Sequence, residues 1–171
     1  MMDALSIKPV EDSDWAGIMQ VQQACYAPPL VESEAALRSK AAASPATCFI
    51  ASTVAGEIAA YLLAHPYPRG EWPDLDRATI PHAPAGNLLL HDMAVHPDFA
   101  GQGLGALLFQ EVERLAQAQG YSTISLVAVQ DAAGYWRKLG FASLPPAPPG
   151  SGMQAKSYGT GAVLMEKRLG G

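Results

Sequence analysis

The chain is short of several things. Only 11 of its 171 residues are Lys or Arg, against 16 Asp or Glu, for a net charge of −5. A duplex nucleic-acid binder needs clustered positive charge, so that class is excluded, although one local anion site is not. Cysteine occurs twice, at Cys25 and Cys48, with no metal-ligand spacing and no disulfide framework. A reduced, soluble, cytoplasmic protein without a bound metal is the expectation. Its longest apolar run, Ile58 to Ala64, is far shorter than the ~20 residues of a membrane-spanning helix. The opening MMDALSIKPVEDSDW has no basic flank leading into an apolar run, so no signal peptide is expected. No partner membrane or nucleic acid is foreseen, and no period of 20–50 residues repeats.

What is present is an apolar chain, 49% hydrophobic, punctuated by 16 Gly and 14 Pro. Its length suits one domain spanning 1–171. Leu5 and Ile7 begin a short strand. Asp12 or Ser13 is placed to cap a helix with Trp15, Ile18, Met19 and Cys25 on one side. A second helix is read from Glu32 to Ala43. Thr47–Thr53 and Glu57–Ala64 flank Ala55-Gly56 as a β-hairpin. From His65 to Gly86, five prolines and Trp72 mark a long loop, either a lid or a surface insertion.

Asn87 to Val95 (NLLLHDMAV) is a strong strand. Simple alternation puts Leu89, His91, Met93 and Val95 on one face and Leu88, Leu90, Asp92 and Ala94 on the other. A helix to Gln119 follows, its apolar face formed by Leu104, Leu107, Leu108, Val112, Leu115 and Ala116. Gly120 is positioned to stop it. Tyr121–Val129 reads as a buried strand, and Asp131 as the cap of a short helix, Ala132–Leu139. Phe141–Leu144 is a short strand, 144–152 a second Pro/Gly loop, and Gly161–Leu169 a closing edge strand. This order implies a mixed α/β sheet with helices covering its faces.

Glycines 101, 103 and 105 run directly into a helix. A helix start offers unpaired N–H groups and partial positive charge, and glycine lets an anion approach the backbone. A phosphate cradle is one reading. Gly101-x-Gly103-x-x-Ala106 also satisfies a dinucleotide fingerprint in form, but five residues separate it from Val95 and the acidic residue expected further on is missing. A nucleotide-triphosphate loop fails for want of a following Lys-Ser/Thr. A ligand-free strand–helix turn is the remaining reading.

The segment VHPDFAGQGLGALL resembles the acetyl-CoA loop of the GNAT superfamily of N-acetyltransferases, written Arg/Gln-x-x-Gly-x-Gly/Ala. The match falls on Ala100, Gly101, Gln102, Gly103, Leu104 and Gly105, with Ala100 where the family carries Arg or Gln, and Ala106 follows as a further cofactor-binding candidate. Tyr135-Trp136-Arg137-Lys138-Leu139-Gly140-Phe141 is similar to a second family motif, Tyr-x-x-x-Gly-Phe, with Trp136 in the tyrosine position. LHDMAVHPDF is closest to the arylalkylamine (serotonin-type) members, with His91 at one of their two strand histidines and Leu89 at the other.

The resemblance implies a mixed, mostly antiparallel sheet of six to seven strands with about four helices. It implies direct acetyl transfer from acetyl-CoA to a primary amine, with no metal. The alternatives are a protein N-terminal or lysine acetyltransferase, or a coenzyme A-binding module without turnover. Met93, Ala94 and Val95 would align the cofactor arm, and Trp136 would pack against its end. His91 is the candidate base, Asp92 a substrate-binding or orienting carboxylate, and Tyr135 a candidate acid, with Tyr158 or water as substitutes. Tyr26, Tyr67 and Trp72 are candidates for the acceptor wall. His65, His82 and His96 are expected at the surface or in caps. A small amine or a peptide is the expected partner, and the chain is expected to be a monomer or homodimer.

Overall fold

The computed structural model describes residues 4–78, 86–145, 158–159 and 161–170. Expectations placed on Pro81, His82, Pro84 and most of the 144–152 loop lie outside the described residues.

Strand β1 (Leu5–Pro9) leads through a short turn into helix α1 (Trp15–Cys25) and then α2 (Glu34–Ala43). The hairpin β2 (Cys48–Thr53) and β3 (Ile58–Pro66) follows, then β4 (Asn87–Val95), α3 (Leu104–Ala118), β5 (Thr123–Ala128), α4 (Ala133–Lys138), β6 (Ala142–Ser143) and β7 (Val163–Arg168). The described strands form one seven-stranded sheet in the order β1-β2-β3-β4-β5-β7-β6. Only the β4–β5 pair is parallel. Strand β7 therefore lies inside the sheet, not at its edge as expected: it pairs with β5 over six residues and carries the two-residue β6 outside it.

Two cores sandwich the sheet. On one face α3 lays Leu104, Leu108, Phe109, Val112 and Ala116 against Leu62, Leu88, Leu90 and Leu126. On the other, Trp15, Ile18 and Val21 of α1 and Leu37 of α2 cover Ile50, Tyr61 and Leu63. Each buried Leu, Ile, Val or Phe among these contributes about 1.5–3 kcal/mol, which is what holds the helices to the sheet. Leu107, expected on the apolar face of α3, is 48% exposed, and Phe109 takes its place. No helix among the described residues is long and apolar enough to cross a membrane.

Several caps differ from the sequence reading. Glu11, rather than Asp12 or Ser13, starts the first turn, paired with Asp14 in a reciprocal capping box. Ser33 caps α2 by accepting from the Ala36 amide, so α2 begins at Glu34 and leaves Glu32 outside the helix. Ala132 precedes α4 with no side-chain cap, while Gln130 and Asp131 both take left-handed backbone angles, φ 51° and 62°.

One irregularity sets up everything that follows. Strand β4 pairs Asp92 with Leu63 but Leu90 with Ala64, so His91 is an extra residue, a β-bulge. A single inserted residue reverses the alternation beyond it. Leu88 and Leu90 face α3, and so do Met93 and Val95, while Asp92 and Ala94 turn to the α1 side. The expectation that His91 shares a face with Met93 and Val95 is thus overturned by the bulge. Beyond the same point β4 and β5 part: they are paired only from Asn87–Leu89 to Thr123–Ser125.

Candidate active site

The parting of β4 and β5 opens a cleft of about 240 Å³, lined on its β4 side by His91 to Val95 and on the other by Leu126, Val127 and Val129. In a strand the backbone groups of successive residues point to opposite edges. The His96 amide donates to Ala59 of β3 at 2.8 Å, so the N–H and C=O groups of Met93 and Val95 point the other way, into the cleft. Their carbonyls are met there by the last residue of α1 and the one after it: the Tyr26 hydroxyl lies 3.1 Å from Met93 O, and the Cys25 thiol donates to Val95 O at 3.1 Å. Burial, and then nearby Asp92, raise the Cys25 thiol above its ordinary pKa, so it is protonated at neutral pH and a poor nucleophile. The Gln130 side chain spans the cleft's end, donating to Cys25 O at 3.1 Å and accepting from the Ala27 amide at 3.0 Å.

At the other end the cleft meets α3. A Cβ on Gly105 would stand 2.6 Å from the Tyr135 hydroxyl and 3.1 Å from Met93 Cε, so two cleft residues press on the first turn of that helix. Just outside, Gly101 and Gly103 take left-handed angles of φ 82° and 77°, and nothing lies within 4 Å of where their Cβ atoms would be. Gly103 is the N-cap of α3 and supplies no side-chain bond, so the amides of Leu104, Gly105 and Ala106 have no intrahelical partner. Leu104 faces the core and offers only its backbone; Gln102 is half-buried beside it. An open, uncapped helix start with space where side chains would be fits a pyrophosphate, and the free strand edge leading from it fits an amide-bearing arm. These residues therefore fit coenzyme A. Ala100 adds no charge to the cradle, which leaves the anion to backbone dipoles.

The bulge places its two polar residues at the inner end. The Asp92 carboxylate is buried, accepting from Tyr26 at 2.7 Å and Tyr61 at 2.6 Å. Burial raises its pKa to about 6, with Glu32 adding to the rise and the two phenols and His91 opposing it. His91 Nε2 lies 2.8 Å from Glu32 Oε2. A carboxylate only accepts, so Nε2 carries hydrogen, and in the neutral ring the lone pair sits on Nδ1, which is buried and unpartnered among the described residues.

Sequence reading missed Glu32, whose placement is heavily determined. Gln22 of α1 holds its backbone on both sides, at 3.0 and 2.8 Å, and the Asp76 amide donates to Oε1 at 2.8 Å. Burial works against its charge, but His91, the Asp76 amide and Lys40 outweigh that and lower its pKa. Ser33 was the available signal, since a cap there puts Glu32 before the helix.

Behind the bulge lies a smaller pocket of about 40 Å³, sharing Tyr26, His91, Asp92, Val127 and Val129 with the cleft and adding Glu32, Leu30, Leu75 and Tyr158. Tyr67 and Trp72, expected as acceptor wall, line neither: the Trp72 ring stands 6.1 Å behind Tyr158, and Tyr67 packs edge-on to His65 at 5.9 Å. His65, expected at the surface, is buried, whereas His96 does cap a turn, accepting from the Asp98 amide. Trp136 lines the cleft but is 7% exposed and packs edge-to-face with Phe109 and Phe141 in the α3 core. Among the described residues there is no group of side chains suited to a metal ion.

The comparisons with known proteins agree with this geometry. A stretch of 60 residues is 43% identical to an uncharacterized N-acetyltransferase, ycf52, of Porphyra purpurea, covering 34% of each chain. The chain thus spans about a third of the length of the curated relatives it matches. Among solved structures, the loading GNATL domain of CurA from Lyngbya majuscula superposes with a TM-score of 0.78 at 11% identity, covering 98% of both chains. The PaiA N-acetyltransferase of Thermoplasma acidophilum, solved with coenzyme A, superposes with a TM-score of 0.67 at 14% identity, covering 96% of this chain and 99% of that one. Those likenesses are of fold. The model of the acetyltransferase (GNAT) family matches residues 15–141, from the start of α1 past the glycine cradle and α4 to the residue before β6, and the chain belongs to that family.

Proposed function

We propose that this protein transfers an acetyl group from acetyl-CoA to the primary amine of a small molecule, directly and without an acyl-cysteine intermediate. The observation that carries the reading is the bulge at His91. It frees the backbone edge of Met93 and Val95, and it brings an imidazole lone pair to the wall shared by the two cavities. Bound acetyl-CoA would supply the thioester carbon that the amine attacks. The α3 cradle would hold its pyrophosphate, and the N–H groups of Met93 and Val95 are the donors available to an oxygen gaining charge.

An ammonium has no lone pair and must lose a proton first. Glu32 and Asp92 attract the cation, and His91 takes the proton at Nδ1 while Glu32 fixes the ring through Nε2. Tyr135 lies on the cofactor side and Tyr158 on the acceptor side, which favours Tyr135 as the phenol returning a proton to the thiolate. With a thiol pKa near ~8.5, departure unaided is also chemically reasonable. A small acceptor is favoured because the 67–78 segment is held along the smaller pocket: Leu75 lines it, Asp76 is tied to Glu32 and Ser33, and Arg69 grips Glu166 at 2.6 and 2.9 Å. The likeness of LHDMAVHPDF to the arylalkylamine enzymes points the same way.

The test is calorimetry with coenzyme A, then thiol release from acetyl-CoA across a panel of amines and peptides, with His91→Ala alongside. Binding, turnover with a small amine, and a loss on the order of 100-fold in kcat/KM for the variant are expected. Absence of binding, or release driven by peptides alone, would refute the reading.

A further inference from the structure

Two side-chain atoms of the small pocket carry an unmet hydrogen bond among the described residues, His91 Nδ1 and the Tyr158 hydroxyl. Buried polar atoms in that condition are uncommon and point to a partner that is absent. The imidazole already has a task in proton removal; the phenol has none. Tyr158 is 7% exposed, with the Trp72 ring behind it. Burial, and then the carboxylates of Glu32 and Asp92 nearby, push its pKa well up, so the hydroxyl keeps its proton and can donate. The pocket's charge is one-sided: Glu32 and Asp92 face His91, and no Lys or Arg is among its described lining residues.

We propose that Tyr158 is a specificity residue of the acceptor subsite, donating to a neutral oxygen on the acceptor, and that the pocket takes primary amines bearing such an oxygen and rejects amines carrying a carboxylate. This rests on the acetyl-transfer reading above. A carboxylate beside the amine would meet the two like charges of Glu32 and Asp92, with no Lys or Arg among the described lining residues to offset them. A carboxamide or hydroxyl at the same place supplies the oxygen without the charge.

Three probes with one side chain separate the effects: leucine, its near-isostere leucinamide, and 3-methylbutylamine, which has hydrogen in place of that group, with phenylalanine, phenylalaninamide and phenethylamine as a second body. Thiol release is measured for the wild type and Tyr158→Phe, with kcat/KM referred to the free-base amine and coenzyme A binding as the control for folding. In the wild type the amide should exceed the plain amine about 2- to 12-fold, one neutral hydrogen bond. It should exceed the amino acid about 100-fold. In Tyr158→Phe the amide's advantage over the plain amine should disappear, while the amino acid stays the poorest. An amino acid used as well as its amide, or an amide preference that survives Tyr158→Phe, overturns the proposal. So does turnover of some other panel amine with none of the six probes accepted. If no amine or peptide at all releases thiol, it is the acetyl-transfer reading that has failed.

Discussion

The glycine cradle can be tested by a substitution whose two effects are separable. Gly103 sits at φ 77° with no atom within 4 Å of where a Cβ would stand, and Gly120, at the far end of α3, sits at φ 83° with equally open space. Alanine at either site adds no clash. Each pays the left-handed backbone penalty of about 1–2 kcal/mol, offset by about 0.4–1 kcal/mol because alanine also restricts the unfolded chain. A net loss on the order of 1 kcal/mol lowers the melting temperature of a chain this long by about 2–4 °C. The two variants should therefore be nearly equal in thermal stability. They should differ in coenzyme A binding. The methyl of Gly103→Ala projects into the cradle and keeps an anion from the first-turn amides of α3. One such charge-assisted bond is worth about 1.5–3 kcal/mol, so the dissociation constant should rise about 10- to 100-fold by calorimetry. Gly120→Ala should bind as the wild type does. Equal affinity in both variants would refute the placement of the pyrophosphate, even if both lost the expected stability.

Other outcomes follow from the polar interior. Asp92 has a pKa of about 6 against an ordinary 3.8. The folded state holds that proton more tightly than the unfolded chain, so stability falls as pH rises from about 4 to about 6 and is level above. The window is worth on the order of 3 kcal/mol. Urea titrations across it should show that slope in the wild type and not in Asp92→Asn; an unchanged slope would refute the assignment. Cys25 lines the cleft, while Cys48 is buried with its pKa raised to about 12. Iodoacetamide at pH 8.5 should label Cys25 alone by mass spectrometry, and saturating acetyl-CoA, which has no free thiol to consume the reagent, should slow that labelling at least tenfold. Labelling untouched by acetyl-CoA would place the cofactor elsewhere. Gln130→Ala removes both bonds across the cleft's end yet keeps the left-handed angle, while Gln130→Gly removes the bonds and relieves the angle. The glycine variant should be the more stable by about 1 kcal/mol in chemical denaturation. Equality would mean that the angle stores no strain.

Much of this molecule is local enough to read from sequence. The hairpin around Gly56, the β4 strand, the amphipathic α3 and the glycines before it each follow from a few neighbouring residues. The bulge does not. Whether His91 is an extra residue depends on where Leu63 and Ala64 of β3 fall opposite it, and that register is a matter of tertiary pairing. With the bulge unseen, alternation misassigned the faces of the residues beyond it. The interior place of β7 was hidden for the same reason, since its pairing with β5, past the intervening β6, is chosen by packing rather than by adjacency. Glu32 was lost to a two-residue error in a helix start. His65 was misplaced because nothing beside it in sequence tells that His91 and Tyr67 will close over it.

The unpaired inner margin of β4 carries a hazard as well as a use. An open strand edge is a template on which any foreign strand can add, and interior edges are no exception. Here the exposed stretch is only a few residues long, its Met93 and Val95 carbonyls are met by Tyr26 and Cys25, and Gln130 bars one end. What is left suits a slender chain of amides entering from the glycine end and is poorly shaped for a second polypeptide. The same few contacts that ready the edge for its ligand thereby leave little of it for another strand to pair with.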